Sequence, residues 1–143
     1  MASTPAYVLQ DLDRWHTHAE EPAVEDAIRR GLDTYISRLI DPDGAPRASL
    51  ASRYPIDIHA CATAISALSQ LARWDERALP TATRVLDWTL ANLSRPDGLF
   101  AFQRHRHRTD SRTFFRWGNA HMLLALADLL SSTDPTLSPP PSP

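Results

Sequence analysis

Residues 32–44, LDTYISRLIDPDG, align without a gap onto residues 86–98, LDWTLANLSRPDG. An internal match at a period of about 54 residues narrows the fold sharply. Each copy is one supersecondary unit that cannot bury its apolar face alone, so copies must stack. Ahead of the first Pro-Asp-Gly, residues 24–40 place Val24, Ala27, Ile28, Leu32, Tyr35, Ile36, Leu39 and Ile40 on one helical face. Glu25, Asp26, Arg29, Arg30, Asp33 and Arg38 take the other face, and DPDGAP ends the helix. After a loop, a helix from about Ile56 to Arg73 is apolar on every side, the pattern of a helix buried all round. The second copy repeats this order. Its amphipathic helix runs from about Leu79 to Leu93, with Pro80 in the first turn, where a missing N–H costs nothing. RWGNAHMLLALADLL is then apolar almost all round, and Ile65, Ala67, Leu68 and Leu71 correspond to Leu123, Ala125, Leu126 and Leu129.

The expected fold is therefore all-α: an α/α toroid of helical hairpins, incomplete, with about two hairpins plus part of a third. Residues 1–20 read as a lead-in, the end of a preceding helix, residues 21–131 as the hairpin domain, and residues 132–143 as a disordered Pro/Ser-rich tail. In a toroid the apolar helices line a central cavity, and their N-terminal ends form one mouth. Asp57 and His59 of the first copy, and Arg116, Trp117, Asn119 and His121 of the second, fall at that mouth.

Composition removes several chemistries. All fifteen basic residues are arginine, so a Schiff-base lysine, a pyridoxal attachment and a P-loop lysine are absent from this chain. A formal net charge of −2 gives no general attraction to nucleic acid or an anionic membrane. No run of eighteen apolar residues is present, and the opening MASTPAYVLQDLDRW lacks the pattern of a signal peptide, so the expected location is cytoplasmic. Cys61 is alone, inside the apolar helix, and reads as a small buried hydrophobe. No cofactor is expected. His16 with His18, and His105 with His107, have His-x-His spacing but neither Cys nor a helical His-x-x-x-His partner, so no metal site is expected. RHRHRTDSR, residues 104–112, reads as a solvated loop over the mouth.

At the mouth, Asp57 suits two roles: the N-cap of the buried helix, and a cavity carboxylate for general acid or base work. His59 and His121 lie a few positions into their helices, as interior histidines or as proton-transfer groups. The expected catalytic set is Asp57, His59 and His121. Trp117 offers a stacking face to a pyranose or packs between hairpins, and Arg116 suits an anionic substituent. With Tyr54 and Asn119 they form the expected substrate-binding set.

YPIDIHACATAI, RVLDWTLANLSRPDGLFAFQ and FFRWGNAHMLLALADLL resemble, in order and spacing, the C-terminal part of bacterial proteins of surface-polysaccharide gene clusters, of the six-hairpin glycosidase-like α/α-toroid class. The resemblance covers roughly residues 20–130. Some relatives carry an aminolevulinate dehydratase label, which a chain without lysine does not support. The resemblance implies a C-terminal portion of a protein that acts on or binds oligo- or polysaccharide, neutral or acidic. It implies no nucleic-acid or membrane partner, and either self-association or a missing N-terminal portion. Two other readings compete. One is a terpenoid-cyclase-like toroid, although Asp-x-Asp-Asp is absent. The other is a non-catalytic helical repeat that binds another protein.

Overall fold

The computed structural model describes residues 3–19, 21–134 and 136. Five α-helices carry the fold: α1 (Ser3–His16), α2 (Pro22–Thr34), α3 (Ile58–Gln70), α4 (Ala78–Leu93) and α5 (Ala120–Thr133). A π-helical turn, Tyr35–Leu39, extends α2, and another, Phe115–Asn119, leads into α5. The helices form two layers. α1, α3 and α5 lie side by side in the inner layer, with α3 in the middle, and α2 and α4 cover them from outside. Hydrogen bonds Gln10–Gln70, Gln70–Asp128 and Ser132–Ser69 keep the inner helices in parallel register.

Physical reasons for this order are local. Pro22 opens α2 in its first turn, where its missing N–H leaves no acceptor unmet. The Asp57 carboxylate caps α3 by accepting from the Ala60 N–H at 2.7 Å. Every residue of α3 from Ile58 to Ser69 is buried, as its unbroken apolar pattern requires. Ile28, Leu32, Ile56, Ile58, Ile65, Leu68, Leu71, Val85, Leu93 and Met122 are buried around it almost completely.

The repeat in sequence is a repeat in hydrogen bonds. In the first turn Gly44 N–H donates to Asp41 O, Asp41 N–H to Ala45 O, Arg47 N–H to Leu39 O, and Ala45 N–H to the Asp43 carboxylate. In the second, Gly98 N–H donates to Arg95 O, Arg95 N–H to Leu99 O, Ala101 N–H to Leu93 O, and Leu99 N–H to the Asp97 carboxylate. The glycines close each turn at φ +93° and +81°, a region other residues rarely enter.

Three elements differ from expectation. First, α5 is not buried all round: Leu123, Leu124 and Leu130 are 72%, 56% and 57% exposed. α3 has an inner-layer neighbour on both sides, whereas α5 has one on only one side. Second, residues 104–112 are not a free loop. β2 (Gln103–Arg104) and β3 (Thr109–Asp110) pair antiparallel, and β2 pairs with β1 (Ile56–Asp57). With Ile58 N–H donating to Phe102 O, this small sheet ties the second copy's loop to the entrance of α3. Third, Ser132 and Thr133 of the expected tail belong to α5, while residue 135 and residues 137–143 lie outside the described residues. The lead-in expected to end a preceding helix contains the whole of α1, which packs against α3.

Candidate functional site

The second π-helical turn aims Trp117. Gly118 allows this: a Cβ there would stand 2.6 Å from Ile58 Cγ2, so only glycine lets the turn close on the start of α3. Trp117 then lies over the His59 ring at 4.4 Å, with the planes 23° apart. His121, one helical turn further on, meets His59 edge-on at 4.5 Å. Tyr7 of α1 reaches across, and its hydroxyl lies 3.0 Å from His59 Nε2. Three inner helices and the π-helical turn that leads into α5 thus place four ring side chains in one cluster.

The two imidazoles differ. His59 is buried, and burial first and the neighbouring His121 second hold its pKa below the usual imidazole value, against opposing contributions from Asp57 and the Trp117 backbone. It is neutral at pH 7. His121 is half-buried, and its Nδ1 lies 3.2 Å from the Arg116 carbonyl oxygen. A carbonyl only accepts, so Nδ1 carries the proton and Nε2 is the basic nitrogen of the neutral ring. Trp117 is 49% exposed, which leaves one side of its indole open to solvent.

From this cluster a polar line runs along the inner layer. Gln10 donates to Gln70 at 2.9 Å, Gln70 donates to Asp128 at 3.0 Å, and Ser66 donates to the same carboxylate. Beside it lies a groove of about 140 Å³ whose lining includes Tyr7, Gln10, Thr63, Ser66, Gln70 and His121. That is space for about five waters at ~30 Å³ each.

The structure brings together His59, Trp117 and His121. The side chains of the other expected residues lie outside the ring cluster. Asp57 is the α3 N-cap, and its backbone pairs in the sheet. Asn119 accepts the Phe100 N–H at 2.9 Å and so ties the second turn to α5. In the first copy the matching residue is Pro46, which has no N–H to satisfy, and Cys61 stands where Asn119 does. Tyr54 is half-buried, with the Arg53 guanidinium 5.5 Å from its ring centre. Arg116 is exposed at the rim. Sequence reasoning missed Tyr7, Gln10, Gln70 and Asp128. A signal was present: His59, Thr63, Ser66 and Gln70 form one stripe of an otherwise apolar helix, matched by Trp117, His121, Leu124 and Asp128. The register pairs His59 with Trp117 and Thr63 with His121, so the two histidines are not equivalents.

Among the described residues no group of three or more His, Cys, Asp or Glu side chains is placed to hold a metal ion. No described helix is long and apolar enough to cross a membrane.

No family model and no curated protein matches the chain. Among solved structures, a cellobiose 2-epimerase from Bacillus thermoamylovorans is similar in fold, with a TM-score of 0.75 at 12% identity over 95% of this chain. The chain spans 40% of that structure's length. It is an incomplete α/α toroid, two hairpins preceded by the inner helix of a third.

Proposed function

We propose that the inner face of α1, α3 and α5 binds carbohydrate, with the open face of Trp117 as the stacking platform and His59 and His121 as a proton-transfer pair. The observation that carries this reading is the ring cluster itself. An indole exposed on one side is stacked on a neutral imidazole, with a second imidazole 4.5 Å away on the next helix. Aromatic faces match the C–H faces of sugar rings, and the polar line from Gln10 to Asp128 offers donors and acceptors to hydroxyl groups. The fold neighbour's name supports the chemistry, since epimerisation at a carbon removes a proton on one face and returns it on the other. Two basic nitrogens on different helices suit that task. The resemblance to surface-polysaccharide proteins points to an oligo- or polysaccharide, and Arg116 at the rim favours an acidic one.

Calorimetric titration with neutral and uronate-bearing oligosaccharides tests this. The expected result is saturable binding that Trp117→Ala weakens at least tenfold and Arg116→Ala weakens for acidic ligands alone. Binding unaffected by Trp117→Ala, or no binding of any glycan by the folded chain, overturns the reading.

A further inference from the structure

Charge is spread unevenly along the chain. Residues 98–127 carry five arginines and a single carboxylate, Asp110, in a chain whose formal net charge is −2. Ion pairing sharpens the contrast. Among the described residues nine of the fifteen arginines form ion pairs, and four of the other six, Arg104, Arg106, Arg108 and Arg116, lie on this arc. In the first copy, Arg47 and Arg53 of the loop before α3 are both held by Asp41, at 2.9 and 2.7 Å. In the second, Arg112 takes Asp110 at 2.6 Å and Arg95 takes Asp97 at 2.9 Å. Arg108 acts on Asp110 only at longer range.

The arginines without a counter-charge are fixed in place. β2 and β3 pair Arg104 with Thr109 and Gln103 with Asp110, and His105 N–H donates to Arg108 O at 2.8 Å. Arg104 Nη1 donates to the neutral Thr109 hydroxyl at 2.8 Å. Arg106, His107 and Arg108 are exposed at the tip. A tight hairpin turn favours Gly, Asn or Asp, so arginine does not serve the turn here. Like charges gathered in one hairpin oppose its formation unless an anion sits among them. β1 anchors this arm to the entrance of α3. Six residues of chain, at most about 20 Å, lead from Asp110 to Arg116 beside Trp117.

We propose that the hairpin of residues 103–110 is an anion-binding arm whose arginines hold the carboxylates of an acidic polysaccharide chain. The arm so read rests on a carbohydrate ligand, as proposed above, but not on the ring cluster. Guanidinium groups suit carboxylates because they donate two parallel N–H bonds. Their charge does not titrate, so the arm is cationic at every physiological pH. A nucleic acid fits less well. Its dense phosphates call for a basic surface across the domain, and this chain is acidic outside the arc.

Calorimetric titration of the full chain with hexagalacturonate, at about 20 and about 200 mM salt, tests the arm, with maltohexaose as the neutral control. Arg106→Gln with Arg108→Gln is expected to weaken hexagalacturonate at least about tenfold at low salt and to flatten its salt dependence, because fewer counterions are released. Maltohexaose binding should not change. Both side chains are exposed, so this variant should keep the parent's helical circular dichroism. Arg106→Lys with Arg108→Lys keeps the charge and is expected to lose less than about threefold. Arg30→Gln with Arg38→Gln removes the same charge from exposed sites on the outer layer, with an expected change below about twofold. Equal weakening by that remote pair overturns the proposal, since net charge alone then explains binding. Equal loss in the lysine and glutamine pairs overturns it too, as does the absence of saturable hexagalacturonate binding. Tip-dependent binding of a thymidine hexanucleotide tighter than that of hexagalacturonate also overturns it. If Trp117→Ala removes binding and the tip variants do not, the ring cluster binds and the arm does not. If hexagalacturonate binds through the tip regardless of Trp117→Ala, the arm stands and the ring-cluster reading falls.

Discussion

The two hairpins share their turn, their hydrogen bonds and their helix order, yet they differ in what covers them. α3 lies between α1 and α5 and beneath α4, so Ala62, Ile65, Ser66 and Ser69 are all buried. On α5 the equivalent face, Ala120, Leu123, Leu124 and Ala127, is exposed. The outer layer shows the same contrast, with Ile36 of the π-helical turn that extends α2 8% exposed and its counterpart Leu90 of α4 46%. Near-identical patterns thus give different burial, because burial in a stacked repeat is decided by the neighbour and not by the unit.

The sharpest way to break the comparison is to make one substitution in both copies. Ile65→Ala removes a fully buried side chain and is expected to cost about 3 kcal/mol, whereas Leu123→Ala is expected to cost less than about 0.5 kcal/mol. Urea unfolding of both variants reads the difference. Equal losses would mean that α5 is covered in solution. A second pair tests the turns. Gly44→Ala and Gly98→Ala each force a side chain into left-handed backbone, at roughly 1 kcal/mol. Gly44→Ala must also displace the backbone of α4, while a Cβ on Gly98 meets nothing within 4 Å. The first is expected to lose about 2 kcal/mol more than the second.

The alignment of Leu32 with Leu86 was enough to read the toroid and its hairpin order from sequence, because turn chemistry and helical periodicity are local properties. The exposure of Leu123 was not legible: an apolar helix reads the same whether or not its neighbour is present. In the ring cluster, Trp117, His59 and His121 were legible as polar or aromatic interruptions at the starts of apolar helices. Asp57 was legible as a cap. Tyr7 was not, because its role depends on a contact with His59 from a helix far away in the chain. The small sheet was missed for a similar reason. Two-residue strands have no periodicity, and only the meeting of Ile56–Asp57 with Gln103–Arg104 makes them strands.

A smaller effect sharpens the contrast between the loops. Asn119→Leu leaves the Phe100 N–H without its acceptor and is expected to cost about 1–2 kcal/mol. The first copy contains no such dependence, because Pro46 has no N–H. Hydrogen exchange should show the 99–101 amides opening in the Asn119→Leu protein while the 45–48 amides keep their protection. Opening of both loops together would mean that the tether holds the whole arc rather than one copy.

The smallest expected effect concerns protons. Only the first copy buries a histidine on the inner layer; its counterpart in the second is Trp117, which does not titrate. Burial and the neighbouring His121 lower the folded-state pKa of His59 below its unfolded value of 6.5. A depressed histidine binds fewer protons folded than unfolded, so its neutral form stabilises the fold above that value. That stability is lost as pH falls from 6.5 through the folded pKa. The protein should therefore unfold at lower urea as the solution is acidified from about pH 7 to about pH 5, and His59→Gln should flatten that part of the profile. Carboxylates that titrate lower down leave their own slope in both proteins, so the informative quantity is the difference between the curves. Identical slopes from pH 7 to pH 5 would show that His59 keeps its proton equilibrium on folding. The ring cluster would then be a packing feature, and the acid–base role proposed for it would lose its physical basis.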